Sequence, residues 1–194
     1  MTSTMPSNEP KKLRSDAAGN AERVMAAAVR AGLAEGKNVP LAQIAADAGV
    51  GVGTLYRRYP NRAALMEALQ ERAYRILIAE ATDALDAGES GLDSVDRFLR
   101  QSFDHRDELV LPLHGAERTE ATESARLRDQ LKQVIGAIVE RGHGDGTLRP
   151  EVTGWTIVRF GAMLAQPMST ARGWAASAAE QRAVFLRGIS ATDE

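Results

Sequence analysis

Three hydroxyls and three guanidinium groups fall within nine residues, Thr54, Tyr56, Arg57, Arg58, Tyr59 and Arg62. Hydroxyls donate to phosphate oxygens, and a guanidinium can grip one at two points. The chemistry such a set can do is the holding of a polyanion, not the making of bonds. The glycine-rich run Gly49-Val50-Gly51-Val52-Gly53-Thr54 invites a phosphate-loop reading. That reading fails on spacing, because no Gly-Lys-Ser/Thr follows and no strand precedes it. His105, His114 and His143 have no partners at zinc-binding helical spacing, so no metal site is expected. Cysteine is absent, which excludes disulfides, thiolate zinc sites and cysteine nucleophiles. No nucleophile pairs with an acid or base, and no cofactor fingerprint is present, so neither catalytic residues nor cofactors are expected.

The elements that must position these side chains read as helices. Alanine, leucine and arginine dominate, and strand-length alternation of Val, Ile, Tyr and Phe is missing. The predicted class is all-α, with about nine helices. Residues 1–14 read as a disordered basic arm with Lys11, Lys12 and Arg14, which either reaches flanking phosphates or is simply solvated. A first helix is predicted from about Asp16 to Glu35, stopped by Gly36. Short helices follow at about Leu41–Ala48 and Val52–Tyr59. Pro60-Asn61 then breaks the chain, and Asn61 can cap a long helix over Arg62–Asp86. Further helices are expected at about Leu92–His105, Glu108–Gly115, Glu120–Arg141, Val152–Ala165 and Ala178–Ile189. Pro112 should kink or split the second of these.

Leu41 to Tyr59 has helix-turn-helix spacing. Ala45 supplies the small residue where two steeply crossed helices pack, and Gly49 supplies a residue at ease at positive φ four positions later. Ile44, Ala48, Val50 and Leu55 are the apolar pins. The second helix then turns Val52, Gly53, Thr54, Arg57 and Arg58 to solvent or to a major groove.

The stretch from Ile44 to Leu65, with Gly53-Thr54-Leu55-Tyr56 at its centre, closely resembles the DNA-binding domain of the TetR/AcrR family of bacterial transcriptional regulators. Upstream, Glu22-Arg23-Val24-Met25, Ala27-Ala28 and Gly36 resemble that family's first helix. The resemblance covers about residues 14–75. It implies a DNA-binding domain over 15–75 and a helical ligand-binding and dimerisation domain over 76–194. It also implies that Thr54 and Tyr56 hold phosphates, and that Arg57 or Arg58 touches DNA. The sequence departs from the family pattern at four places. Gly32 replaces a bulky aromatic, Gly51 a capping serine, Val39-Pro40 a threonine, and Arg62 a lysine that meets a phosphate. Tyr59 belongs to the same candidate DNA-binding set, although its place in the motif also suits packing.

Charge follows the same division. Residues 1–75 carry eleven Lys and Arg against seven Asp and Glu, and the remainder thirteen against nineteen. Only the first part suits a polyanion. In the second part Phe98, Phe103, Leu109, Leu113, Phe160, Met163 and Trp155 either line a ligand cavity or pack as ordinary core. His114, Arg118 and Gln166 are the polar groups that fit such a lining. Gly154, Gly161, Ala162 and Ala165 should let a partner helix approach, beside a stripe of Val184, Phe185 and Ile189. The expected protein is a homodimeric, cytoplasmic regulator with no membrane segment. It would be a repressor released from a near-palindromic double-stranded DNA operator by a small hydrophobic or aromatic ligand. The alternative is a regulator of the same fold without an inducer, controlled by a protein partner. A helical enzyme is the third class, and no constellation supports it.

Overall fold

The computed structural model describes residues 9–35, 39–87, 90–114, 122–166 and 173–191. Nine helices are present among the described residues, and the only β feature is one antiparallel bridge, Leu148 to Ser190. The chain divides into two compact units, Met1–Met66 and Glu67–Glu194.

The first unit holds α1 (Glu9–Glu35), α2 (Leu41–Asp47), α3 (Val52–Arg58) and the start of α4 (Arg62–Asp86). Helix α1 begins seven residues before the expected Asp16, so 9–14 of the expected arm are helical. Pro10 is compatible with this, because proline in a first turn forfeits an N–H that has no helical partner anyway. The side chains of Lys11, Lys12 and Arg14 lie outside the described residues. Val24, Ala27, Ala28 and Ala31 of α1 are buried, as are Leu41, Ile44 and Ala45 of α2 and Leu55 of α3. Ala45 is fully covered, which is what a close α2–α3 crossing requires.

The second unit contains the rest of α4 with α5 (Gly91–Asp104), α6 (Arg106–His114), α7 (Thr122–Gly144), α8 (Gly154–Ala165) and α9 (Trp174–Ile189). Its core joins Leu77, Ala81, Val95, Phe98, Leu99, Leu109, Leu131, Ile135, Ile138 and Ile157. Pro112 does not split α6. It is fully buried inside the helix, two residues before its end, where a missing N–H costs one bond in the last turn. Helix α8 opens with a reciprocal Thr153–Thr156 capping box.

Two glycines expected to admit a partner helix face inward instead. A β-carbon on Gly154 would press on Ile135 at 3.1 Å, and one on Gly161 on Leu99 at 3.2 Å. Their smallness serves packing of α8 against α7 and α5. The large apolar groups that α8 and α9 leave outside are Trp155, Met163 and Val184, 60%, 70% and 61% exposed.

Candidate nucleic-acid interface

The turn between α2 and α3 is built by hydrogen bonds that the sequence dictates. Gly49 takes φ +63°, a conformation that costs any residue with a β-carbon. Its N–H donates to the Ala46 carbonyl at 3.0 Å, and the Val50 N–H donates to the Ala45 carbonyl at 3.0 Å. These paired bonds form a Schellman stop, which satisfies carbonyls the helix end would otherwise orphan. Gly51 then accepts from the N–H groups of Thr54 at 2.9 Å and Leu55 at 3.1 Å, starting α3 without a side-chain cap.

Leu55 anchors α3 inward. On its outer side the helix shows Val52, Gly53, Tyr56 and Arg57, all exposed, and an i, i+4 spacing puts Val52 beside Tyr56 and Gly53 beside Arg57. A valine and a tyrosine 44% and 45% exposed on one short helix gain nothing from water and suit a partner surface. Thr54 is half-buried at the flank. Arg58 lies about 100° further round than Arg57. It is exposed but tethered, since its Nε donates to the Tyr59 hydroxyl at 3.2 Å and its guanidinium sits 5.8 Å from that ring's centre. Tyr59 itself is buried, so its ring is core and its hydroxyl is engaged by Arg58.

Arg62 is half-buried at the head of α4, where Asn61 caps the helix by accepting from the Ala64 N–H at 2.9 Å. Its Nη1 donates to the backbone carbonyl of Val39. No feature of the sequence signals this bond, because the partner is a main-chain atom 23 positions away.

Of the candidate ligand residues, Phe98, Leu109, Leu113 and Phe160 meet in the core of the second unit, while Phe103, Met163 and Gln166 lie outside that core. Phe98 and Leu109 belong to the buried core, with Leu113 and Phe160 packed against it. Phe160 stacks on Phe185, ring centres 3.8 Å apart. Phe103 lies half-exposed with the Arg106 guanidinium 4.7 Å over its ring. Met163 and Gln166 face solvent, as does Trp155, which carries the Arg159 guanidinium 5.2 Å above it. The His114 side chain and Arg118 lie outside the described residues. Sequence reading missed a polar cluster in this unit. Buried Glu80 accepts from Ser102 at 2.8 Å and from His105 Nδ1 at 2.6 Å. Burial pushes the Glu80 carboxyl above its ordinary value, against the opposing pull of those two hydrogen bonds. Among the described residues no group of three His, Asp or Glu can hold a metal ion, and no helix is long and apolar enough to cross a membrane.

Residues 24–69 match the family model described as bacterial regulatory proteins, tetR family. The chain is similar to the TetR transcription regulatory protein of Mycobacterium vanbaalenii, at 26% identity and TM-score 0.64, covering 92% of this chain and 99% of that one. It is also similar to a tetR-family regulatory protein from Rhodococcus RHA1, at 20% identity and TM-score 0.72, covering 90% and 98%. The ketosteroid transcriptional regulator KstR2 of Mycobacterium tuberculosis shares the fold at 16% identity and TM-score 0.66, covering 88% and 94%. No curated protein matches the chain. The matched segment contains α2, α3 and the exposed face of α3. The fold is that of the TetR transcription regulators, and the likeness supports a DNA-binding regulator.

Proposed function

We propose that the chain is a homodimeric repressor that lays the exposed face of α3 in the major groove of double-stranded DNA. The observation that carries this reading is the Val52, Gly53, Tyr56 and Arg57 face, which lies within the segment that matches the tetR model. Arg57 is the base-reading candidate. A guanidinium on a helix in the groove can take two acceptors of one guanine, and Val52 offers an apolar contact to a thymine methyl. Thr54, Tyr56, tethered Arg58 and the free donors of Arg62 serve phosphates and set the register. Tyr59 supports them from the core.

Dimerisation through α8 and α9 supplies the second recognition helix. A two-fold pair places its half-sites about 34–36 Å apart or at a multiple, which requires a near-palindromic operator. Trp155, Met163 and Val184 are the apolar groups that such an interface would cover. Release by an apolar small molecule within the second unit is the regulatory half of the proposal, with Phe98, Phe103, Leu109, Leu113 and Phe160 as its lining. The ligand must bind the DNA-incompetent arrangement more tightly than the competent one. Helix α4 begins in the first unit and continues into the second, so it provides the covalent route.

A gel shift of the full-length protein on genomic fragments across a salt series tests the reading. Retarded fragments whose binding falls steeply with salt support a regulator. Absence of binding at low salt would leave the DNA reading without support.

A further inference from the structure

We propose that Arg62 is a positioning residue that clasps the helix-turn-helix shut, and that sequence discrimination depends on this clasp as well as on any phosphate Arg62 meets. The inference rests on the DNA-binding reading above.

Residue 39 is the second residue before α2, and residue 62 is the first of α4, beyond α3. One hydrogen bond from Arg62 Nη1 to the Val39 carbonyl therefore brackets the whole segment. The carbonyl is available because the first turn of α2 does not use it. In α-helical register the Gln43 N–H would reach Val39. Here it donates to Pro40 at 3.0 Å, and the Ile44 N–H donates to the same Pro40 oxygen at 3.2 Å. Pro40 has no N–H and makes no side-chain cap at the start of α2. Val39 is 3% exposed, and a buried carbonyl left unpaired is costly. The guanidinium resolves this from the far end of the motif.

The geometry gives the bond leverage on α3. The Schellman turn at Gly49 fixes α3 onto α2, so the pose of α3 follows from how α2 enters. Asn61 and Arg62 fix the exit. Arg62 has five donors and spends one on Val39, which leaves others to face a phosphate. A lysine in its place keeps the charge but has no planar fork, so it serves carbonyl and phosphate together less well.

The test uses the full-length protein, a duplex selected by the wild type from a random library, and a scrambled duplex of equal length. Amide exchange of residues 41–47 is followed in the free protein, and affinity for both duplexes is measured across a salt series. The expected result for Arg62→Met is α2 exchange about tenfold faster or more, with the affinity ratio between the two duplexes narrowed about tenfold. Arg62→Lys should be intermediate, exchanging about threefold faster while its salt slope stays at the wild-type value. The proposal is overturned if both variants exchange like wild type and Arg62→Met only lowers the salt slope by about one unit, equally for both duplexes. That pattern marks a plain phosphate ligand. Should Arg62→Met fail to fold, Arg62→Lys decides alone, and wild-type exchange in it overturns the clasp. If the wild type selects no sequence, the DNA reading fails by itself, while the exchange comparison still decides the clasp.

Discussion

The Glu80 carboxylate lies 2.6 Å from Nδ1 of His105, bonding α4 to the residue that ends α5, and its second oxygen accepts from Ser102 at 2.8 Å. Only 8% of the Glu80 side chain is exposed, so a charge here has lost most of its water. Asp104, next to His105, opposes ionisation as well.

Burial therefore makes the fold of this unit sensitive to pH. The Glu80 pKa is raised above 4.5, so its contribution is fully present below that pH and lost as pH rises through the folded value. Glu80→Gln removes the titration. Urea unfolding at pH 4 and pH 7 should show the variant gaining on wild type as pH rises. A stability difference that does not change with pH would contradict the assignment. Ser102→Ala should cost about 1–3 kcal/mol at neutral pH, as one of the two acceptor oxygens loses its donor.

Gly49→Ala is expected to destabilise the first unit. A β-carbon there meets nothing within 4 Å, so the cost comes from the backbone at φ +63° alone. About 1–2 kcal/mol is the usual penalty for a residue with a β-carbon in that region. Urea unfolding monitored by amide exchange in α2 and α3 measures it, and a neutral result would mean the turn relaxes away from φ +63°.

Self-association should depend on the exposed groups of α8 and α9, not on Gly154 or Gly161. Sedimentation equilibrium at micromolar concentration is expected to give a dimer. Met163→Glu with Val184→Glu should weaken it by about thirtyfold or more, corresponding to loss of interface anchors worth ~2 kcal/mol. A wild-type monomer would contradict the dimer, and an unaffected double variant would move the interface elsewhere.

The helix-turn-helix and α4 were legible because their signals are local. Gly49, Pro60 and Asn61 punctuate the chain, and α4 spans Arg62–Asp86 as its periodicity and cap indicate. Local signals misled where packing outweighs propensity. Helix α7 runs on through Gly142 to Gly144, although glycines usually end helices. A β-carbon on Gly91 would collide with the Gly142 backbone, so Gly91 serves a close crossing of α5 and α7. One on Gly142 would collide with Leu148, so Gly142 serves the packing of that side chain. Within the candidate interface, the spacing turns Val52, Gly53, Arg57 and Arg58 outward as the structure does. The same spacing also turns out Thr54, which is half-buried, and omits Tyr56, which is exposed. It does not show that Arg58 leans on Tyr59 or that Arg62 reaches Val39, since such choices are made by neighbours in space. The ligand set is what spacing decides least, because aromatic spacing on separate helices cannot distinguish a cavity wall from a core.

Ligand release has its own measurement. Compounds that raise the melting temperature are to be tested for their effect on operator affinity. A coupling of about 1–3 kcal/mol corresponds to a 5–150-fold weakening of DNA binding. Compounds that stabilise the protein without weakening DNA binding, and none that do both, would favour the regulator controlled by a protein partner.

The central claim is that the outer face of α3 reads DNA sequence. It is tested most directly by the affinity of the full-length protein for its selected duplex and for a scrambled one, before and after Arg57→Ala/Arg58→Ala. Loss of a base-reading guanidinium should cost about 1–3 kcal/mol of discrimination at its base pair, together with a shallower salt dependence from the lost phosphate contact. Affinity for the selected duplex that is unchanged in the double variant would contradict the account.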